Sequence, residues 1–275
     1  MKKDKKVKKL ITLGPSGTYS EIAAKKFIKQ LNLQVKITYE PSIDYCFHGF
    51  KTADYLVLPI ENSIDGYIQR TLDLLNISNA FIISELNLPI TFSLVSNEAS
   101  LEDIETVYVQ FKTKNQCLDF FFHYKHLKFV ITDSNSQSLA LHLKNPKHTA
   151  AVIPSHLVKS FYQLTIHHIE DQLTNQTRFI LIGKNQISPD LNIDYKALIS
   201  LSPTIDKPGL LYHLLSYFTE LNINLKSIIS RPKMNTLNAY EFFLEVDVNG
   251  NTLDQLLKTI HQNKNLNMKL LGVYK

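Results

Sequence analysis

Strand-like and helix-like patterns alternate along most of the chain. Compact apolar runs at residues 9–13, 35–39 and 55–59 read as strands. Between and after them, apolar residues at helical spacing predict helices over 18–31, 43–50 and 65–75. Thr18 followed by Glu21 is the pair that opens a helix by reciprocal capping. The rhythm restarts near Leu88, with strands predicted at 90–95, 106–109, 129–132, 149–153 and 178–183. Helices are predicted at 115–123, 137–143 and 155–161. Such alternation implies an α/β fold built on a largely parallel sheet.

The pattern changes after a polar, proline-containing stretch at 185–193, read as a linker. Beyond it come a strand at 195–202, a helix at 208–221, strands at 224–230 and 240–248, a helix at 252–262 and a strand at 268–274. The first of these helices has Pro208 in its first turn and an apolar stripe of Leu211, Leu214, Leu215, Phe218 and Leu221. Thr252 and Gln255 form a second capping pair. The order βαββαβ is that of the ferredoxin-like motif.

Composition narrows the class. A chain of 275 residues with 44% apolar and 20% charged residues has the size and balance of a soluble protein of about two domains. The net charge of +5 is concentrated in six lysines among the first nine residues, so 1–8 reads as a solvated basic tail and no nucleic-acid partner is expected. No apolar run follows that tail as a secretory signal requires, and none approaches the roughly 20 residues of a membrane span. Cys46 and Cys117 are too few for a disulfide framework and read as buried, reduced thiols in a cytoplasmic protein. His167 and His168 fall on a strand, where neighbours face opposite ways. One core or edge histidine beside one surface histidine is therefore expected, not a metal pair. With no phosphate loop and no clustered ligand spacing, neither metal nor cofactor is expected.

Three polar runs sit where chemistry gathers. Gly14-Pro15-Ser16-Gly17-Thr18-Tyr19-Ser20 lies between a strand and a helix, and offers backbone N–H groups and hydroxyls to an anion. Glu61-Asn62-Ser63-Ile64-Asp65-Gly66 follows the end of a buried strand, a common ligand position in open α/β sheets. There Ser63 is also placed to cap the next helix. Residues 171–179 bring Asn175, Thr177 and Arg178 to the start of an apolar strand, and arginine suits carboxylates.

These segments, with Pro59-Ile60-Glu61-Asn62-Ser63 and Asn175-Gln176-Thr177-Arg178-Phe179 foremost, make the chain resemble the prephenate dehydratases. The C-terminal part resembles an ACT domain, the family's phenylalanine sensor. Its signature residues appear as Gly209-Leu210-Leu211, Asn224-Leu225 and Ile229-Ser230-Arg231-Pro232. The resemblance implies a periplasmic-binding-protein-like catalytic domain over 9–184. One lobe would comprise about 9–86 and 166–184, and the other about 88–165. An ACT domain over 194–275 would follow the linker. It also implies a homodimer or homotetramer, with phenylalanine binding between paired ACT domains as an allosteric inhibitor.

The implied reaction converts prephenate to phenylpyruvate, CO2 and water in phenylalanine biosynthesis. By resemblance Thr177 contacts the leaving hydroxyl, with Asn62, Ser63 and Glu61 as further catalytic candidates. Glu61 would serve as an acid. Thr18, Ser20, Arg178, Phe179, Lys112, Ser134 and Asn175 would bind substrate. Gly209, Leu210, Leu211, Asn224, Leu225, Ser230, Arg231 and Pro232 would bind phenylalanine. Lys112 stands where the family has glutamine, Ile229 where it has glutamate and Leu210 where it has alanine. These departures leave the second-lobe contact and phenylalanine sensing open. An arogenate dehydratase and a non-catalytic amino-acid-binding protein of the same fold are the rival readings.

Overall fold

The computed structural model describes residues 7–191, 193–204, 208–233, 240–262 and 266–275. In chain order the first elements are β1 (Lys8–Leu13), α1 (Tyr19–Gln30), β2 (Val35–Glu40), α2 (Ile43–Phe50), β3 (Tyr55–Asn62), β4 (Gly66–Tyr67), α3 (Gln69–Ile77) and β5 (Phe81–Pro89). Then come β6 (Phe92–Ser96), β7 (Thr106–Gln110), α4 (Phe111–Asn115), α5 (Leu118–Phe122), β8 (Lys128–Thr132), α6 (Asn135–Lys144), β9 (Thr149–Pro154), β10 (Leu164–His167) and β11 (Gln176–Gly183). The last are β12 (Tyr195–Pro203), α7 (Leu210–Glu220), β13 (Leu225–Pro232), β14 (Tyr240–Val248), α8 (Gly250–His261) and β15 (Leu266–Tyr274).

The chain forms two compact units. The first comprises Met1–Ala53, Val57–Ile68 and Leu86–Phe179, and the second Asp54–Leu56, Gln69–Glu85 and Ile180–Lys275. The first unit holds two sheets. One runs β2-β1-β3, with β4 and the start of β11 beside β3. The other runs β10-β6-β9-β7-β8 and is mixed: β7 pairs in parallel with β8 and β9, while β6 pairs antiparallel with β9 and β10. Its core includes Phe92, Leu94, Val107, Val109, Cys117 and Phe121. The thiols of Cys46 and Cys117 are both buried and unbridged. Burial, followed by the charge of Glu40, pushes the Cys46 thiol up to about 12, so it stays protonated.

The second unit contains the antiparallel sheet β13-β14-β12-β15, with β5 beside β15. Leu214 and Phe218 of α7 and Leu253 and Leu256 of α8 pack on one face of it, over Ala197, Ile199, Leu244 and Val246. Burying such side chains stabilises by about 1.5–3 kcal/mol each.

Several elements differ from the pattern-based expectation. The helix expected at 65–75 begins only at Gln69, because Gly66, with φ of +75°, turns the chain back so that β4 pairs with β3. The helix expected at 115–123 is broken at Gln116 and Cys117. It restarts because the Asp171 carboxylate accepts the N–H groups of Leu118 and Asp119. Only a single 3-10 turn, Ser155–Leu157, forms where 155–161 was expected to be helical. β5 was not expected: it opens on three consecutive apolar residues, Phe81, Ile82 and Ile83, and alternates only at Leu86 and Leu88. α7 starts at Leu210 behind Gly209, whose φ of +82° no proline-led first turn supplies. α8 is opened by a reciprocal Asn249–Thr252 cap in place of Thr252–Gln255. His167 and His168 are both exposed, and His167 lies on β10, an edge strand, as one of the expected alternatives for it. His167 contacts the Ser93 hydroxyl at 3.0 Å, and His168 turns away at φ of +57° towards Glu170.

Candidate active site

The end of β3 and the start of β11 lie side by side and are stitched by side chains. The Ser63 N–H donates to the Gln176 carbonyl, and the Gln176 N–H donates to the Ser63 hydroxyl, both at 2.9 Å. Ser63 thus ties two strand ends together. Its expected part as a helix cap falls to no helix, because the 62–65 turn is closed by Asn62. The Asn62 side-chain oxygen accepts the N–H groups of Ile64 at 3.0 Å and Asp65 at 3.1 Å.

That contact fixes the other end of the same amide. With its oxygen facing backbone donors, Asn62 Nδ2 donates to Thr177 Oγ1 at 2.9 Å, Asn175 Oδ1 at 2.8 Å and the Gln176 carbonyl at 3.1 Å. Asn175 and Thr177 are buried. Asn175 reaches Gln116 Oε1 at 3.4 Å. A hydroxyl that accepts one hydrogen bond keeps its own proton for a second partner. Thr177 is therefore held as a donor of fixed direction.

Strand periodicity separates the next pair. Pairing Asn62 with Thr177 puts Glu61 beside Arg178 on the opposite face. The Arg178 guanidinium lies 2.8 Å from the Glu61 carboxylate, 3.0 Å from the Tyr67 hydroxyl and over the Tyr67 ring. Arg178 is buried, and Phe179 is buried in the core. These positions run against three expectations. Arg178 is engaged by Glu61 and Tyr67 in place of a substrate carboxylate. Glu61 is engaged as the partner of a guanidinium instead of acting as an acid. Phe179 packs inside.

A second polar region lies between the two sheets of the first unit. A cavity of about 190 Å³ is lined by Gly14, Gly17, Thr18, Gln110, Ser134 and Asn135, among others. Thr18 caps α1 by accepting the Glu21 N–H, and Ser134 caps α6 by accepting the Gln137 N–H. Both helices therefore direct N-termini at the cavity, a favourable surrounding for carboxylates. Gln110 caps α4 through Thr113, whose hydroxyl donates to Asn135 Oδ1 at 3.0 Å. Ser20 is buried in the first turn of α1, and its side chain does not line the cavity. Lys112 is exposed and sits 3.6 Å from Asp65, just beyond Asn62.

The Gly14–Tyr19 loop is held by groups that local patterns do not reveal. Glu21 accepts the Gly17 N–H at 2.6 Å, where the expected capping pair would return to Thr18. The same carboxylate accepts the Tyr39 hydroxyl at 2.7 Å and pairs with Lys25 at 2.7 Å. Burial alone would raise the Glu21 carboxyl. The hydrogen bonds from Lys25, Gly17 and Tyr39, with the lysine charge, outweigh it and bring the value down to about 2. Gly17 has φ of +85°, a backbone conformation that side-chain-bearing residues rarely adopt.

In the second unit the residues expected to sense phenylalanine fall in several places. Gly209, Leu210 and Leu211 form the start of α7. Asn224 is exposed and donates to Asp247 at 2.8 Å. Leu225, Ser230, Arg231 and Pro232 lie on β13, an edge strand, with Ser230 and Pro232 exposed. Arg231 pairs with Asp73 of α3 through two nitrogens, at 2.6 and 3.2 Å, and also donates to Gln69.

Among the described residues no helix is long and apolar enough to cross a membrane. The prephenate dehydratase family model matches residues 10–187, and the ACT domain model matches 204–265. A prephenate dehydratase of Methanocaldococcus jannaschii is 35% identical, over 94% of this chain and 95% of its own. One of Lactococcus lactis is 29% identical, over 97% of each chain. The structure of the Staphylococcus aureus prephenate dehydratase matches with a TM-score of 0.81 at 27% identity, over 97% of this chain and all of that one (100%). A prephenate dehydratase of Arthrobacter aurescens, solved in complex with L-Phe, matches with a TM-score of 0.83 at 25% identity, over 97% of this chain and 89% of that one. Taken with the two-sheet first unit and the βαββαβ order of elements later in the chain, these matches establish that the chain belongs to the prephenate dehydratase family of lyases.

Proposed function

We propose that the Asn62–Asn175–Thr177 cluster and the cavity beside Thr18 and Ser134 carry out the decarboxylative dehydration of prephenate to phenylpyruvate. In this reaction the bond between the ring and its carboxylate breaks, and the electron pair moves into the ring. The C4–O bond breaks, and the hydroxyl takes up one proton from solvent and leaves as water. Aromaticity supplies driving force, so positioning and directed hydrogen bonds suffice.

Thr177 donates to the departing hydroxyl, and Asn62 holds the threonine in that direction. The carboxylates are held by the capped starts of α1 and α6, with Lys112 adding positive charge. Ser63 and Asn175 position the two strand ends, and Glu61 with Arg178 braces them from the other face. The observation that carries this reading is the 2.9 Å contact from Asn62 to Thr177, with the amide oxygen already engaged. Formation of phenylpyruvate from prephenate by the purified protein tests it. Turnover confined to arogenate would move the assignment to that substrate, and no turnover of either would leave a binding protein.

In the same reading the catalytic domain spans 9–184 and the ACT domain 194–275, and the protein acts in the cytoplasm. Phenylalanine, bound by the Arthrobacter aurescens relative, is the effector. β13, at the edge of its sheet, favours pairing of ACT domains in a homodimer or homotetramer. Light scattering with and without phenylalanine tests the assembly.

A further inference from the structure

The backbone of Gly17 is gripped from both lobes of the catalytic unit. From the first lobe, the Glu21 carboxylate accepts its N–H at 2.6 Å. From the second, His156 Nε2 contacts its carbonyl at 3.1 Å. A carbonyl only accepts, so Nε2 carries the proton. The His156 ring stands edge-on to Tyr19, with centroids 5.1 Å apart. Ser136 of the second lobe donates to the neighbouring Ser16 carbonyl at 3.3 Å. Gly17, Tyr19 and Ser136 all line the cavity. The two grips hold the peptide groups on either side of one residue, Gly17, whose φ of +85° glycine alone adopts readily.

We propose that Glu21 and His156 are positioning residues for the dehydratase reaction, clasping the Gly17 backbone from its two sides so that the two lobes stay closed around the substrate carboxylates. This rests on the reading of the cavity as the prephenate site. Neither side chain lines the cavity, so each acts through the loop. The grip on the N–H engages an ionised acceptor, which makes it the stronger of the two. Loss of either grip loosens the loop that binds substrate and leaves Thr177 in place. The signature is therefore a rise in KM with little change in kcat.

The test combines steady-state kinetics on prephenate with hydrogen exchange of the peptide spanning 14–19. Glu21→Ala is expected to raise KM about tenfold, with kcat changed less than threefold, and to speed exchange of that peptide. Glu21→Gln keeps one acceptor oxygen and is expected to restore KM to within threefold. His156→Ala is expected to raise KM severalfold. Its combination with Glu21→Ala is expected to fall short of the product of the two effects, because both hold the backbone of one residue, Gly17. Unchanged KM and unchanged exchange in the alanine variants overturn the clasp, as does a Glu21→Gln protein as impaired as Glu21→Ala. Should Glu21→Ala fail to fold, His156→Ala carries the same test. A wild-type protein without turnover overturns the functional reading instead, and the exchange measurement still decides the clasp.

Discussion

Asn62 presents its side-chain amide to the Thr177 hydroxyl at 2.9 Å, and the orientation of that amide is dictated from its other end. The N–H groups of Ile64 and Asp65 occupy the oxygen, so only the nitrogen can face Thr177. Thr177 must then accept from Asn62 and donate elsewhere. Thr177→Val keeps the volume and removes the donor. Its kcat on prephenate should fall more than about 100-fold, the scale of one directed hydrogen bond to a transition state. KM should move little. Turnover near the wild-type value would remove Thr177 from the mechanism.

Asn62→Asp provides the reciprocal case. A carboxylate in that place accepts where the amide donated, so Thr177 turns its proton inward. A loss of about 100-fold in kcat is expected with the fold intact. Circular dichroism and kinetics on the same preparation separate the two effects.

The opposite face of the same strands supports stability. Arg178 is 8% exposed in its side chain, and it faces Glu61 and Tyr67. Arg178→Ala leaves the Glu61 carboxylate without its guanidinium. Glu61 keeps about a third of its side chain (34%) in solvent, so losing the pair costs about 1–3 kcal/mol. Urea denaturation should show that loss, and Arg178→Lys should recover only part of it, since a lysine cannot serve both partners in one plane.

These three variants also mark what the sequence makes legible. The motif residues Asn62, Asn175 and Thr177 lie far apart in the chain and meet in space. The polar strand ends pointed to them because buried strands seldom end in such residues without a partner. The division between the two faces was equally available in principle. Alternation along a strand forbids Thr177 and Arg178 from sharing a face, yet arginine's affinity for carboxylates suggested a shared site. The clamp on Gly17 was not legible, because Tyr39 and His156 belong to distant elements with no local signal. Nor was the assignment of 69–85 to the second unit, since those residues continue the catalytic pattern and their anchors lie more than a hundred positions later. Ser200 reaches Asn76, and Lys196 reaches Glu85, both at 2.6 Å.

Glu21 predicts a dependence on acid. Although burial opposes it, hydrogen bonds and the Lys25 charge hold its carboxyl at about 2, against 4.5 for the free group. A depressed carboxyl contributes stability that is complete above the unfolded value and is lost as pH falls towards the folded one. About 3 kcal/mol should therefore disappear between roughly pH 4.5 and 2. Melting of wild type and Glu21→Gln across that window should converge at the acid end. Curves that stay parallel would assign the acid sensitivity to other groups.

Arg231 was expected to help bind phenylalanine, and the structure gives its guanidinium to Asp73 and Gln69. The pair is well shielded, with side-chain exposures of 18% for Arg231 and 13% for Asp73. α3, which carries Asp73, follows directly on the Glu61–Tyr67 turn in the chain. A change at β13 therefore reaches α3 through this ion pair. Asp73→Asn removes the charge and keeps the shape. If Arg231 serves as a tie and not as a ligand, phenylalanine should still raise the melting temperature of this variant, because binding to the folded state alone suffices for that. Inhibition of phenylpyruvate formation should weaken by about fivefold or more in effective phenylalanine concentration, within the range of typical coupling energies. Loss of the thermal shift together with inhibition would instead place Arg231 in the effector site. Retention of both would show that the ion pair carries no regulatory coupling.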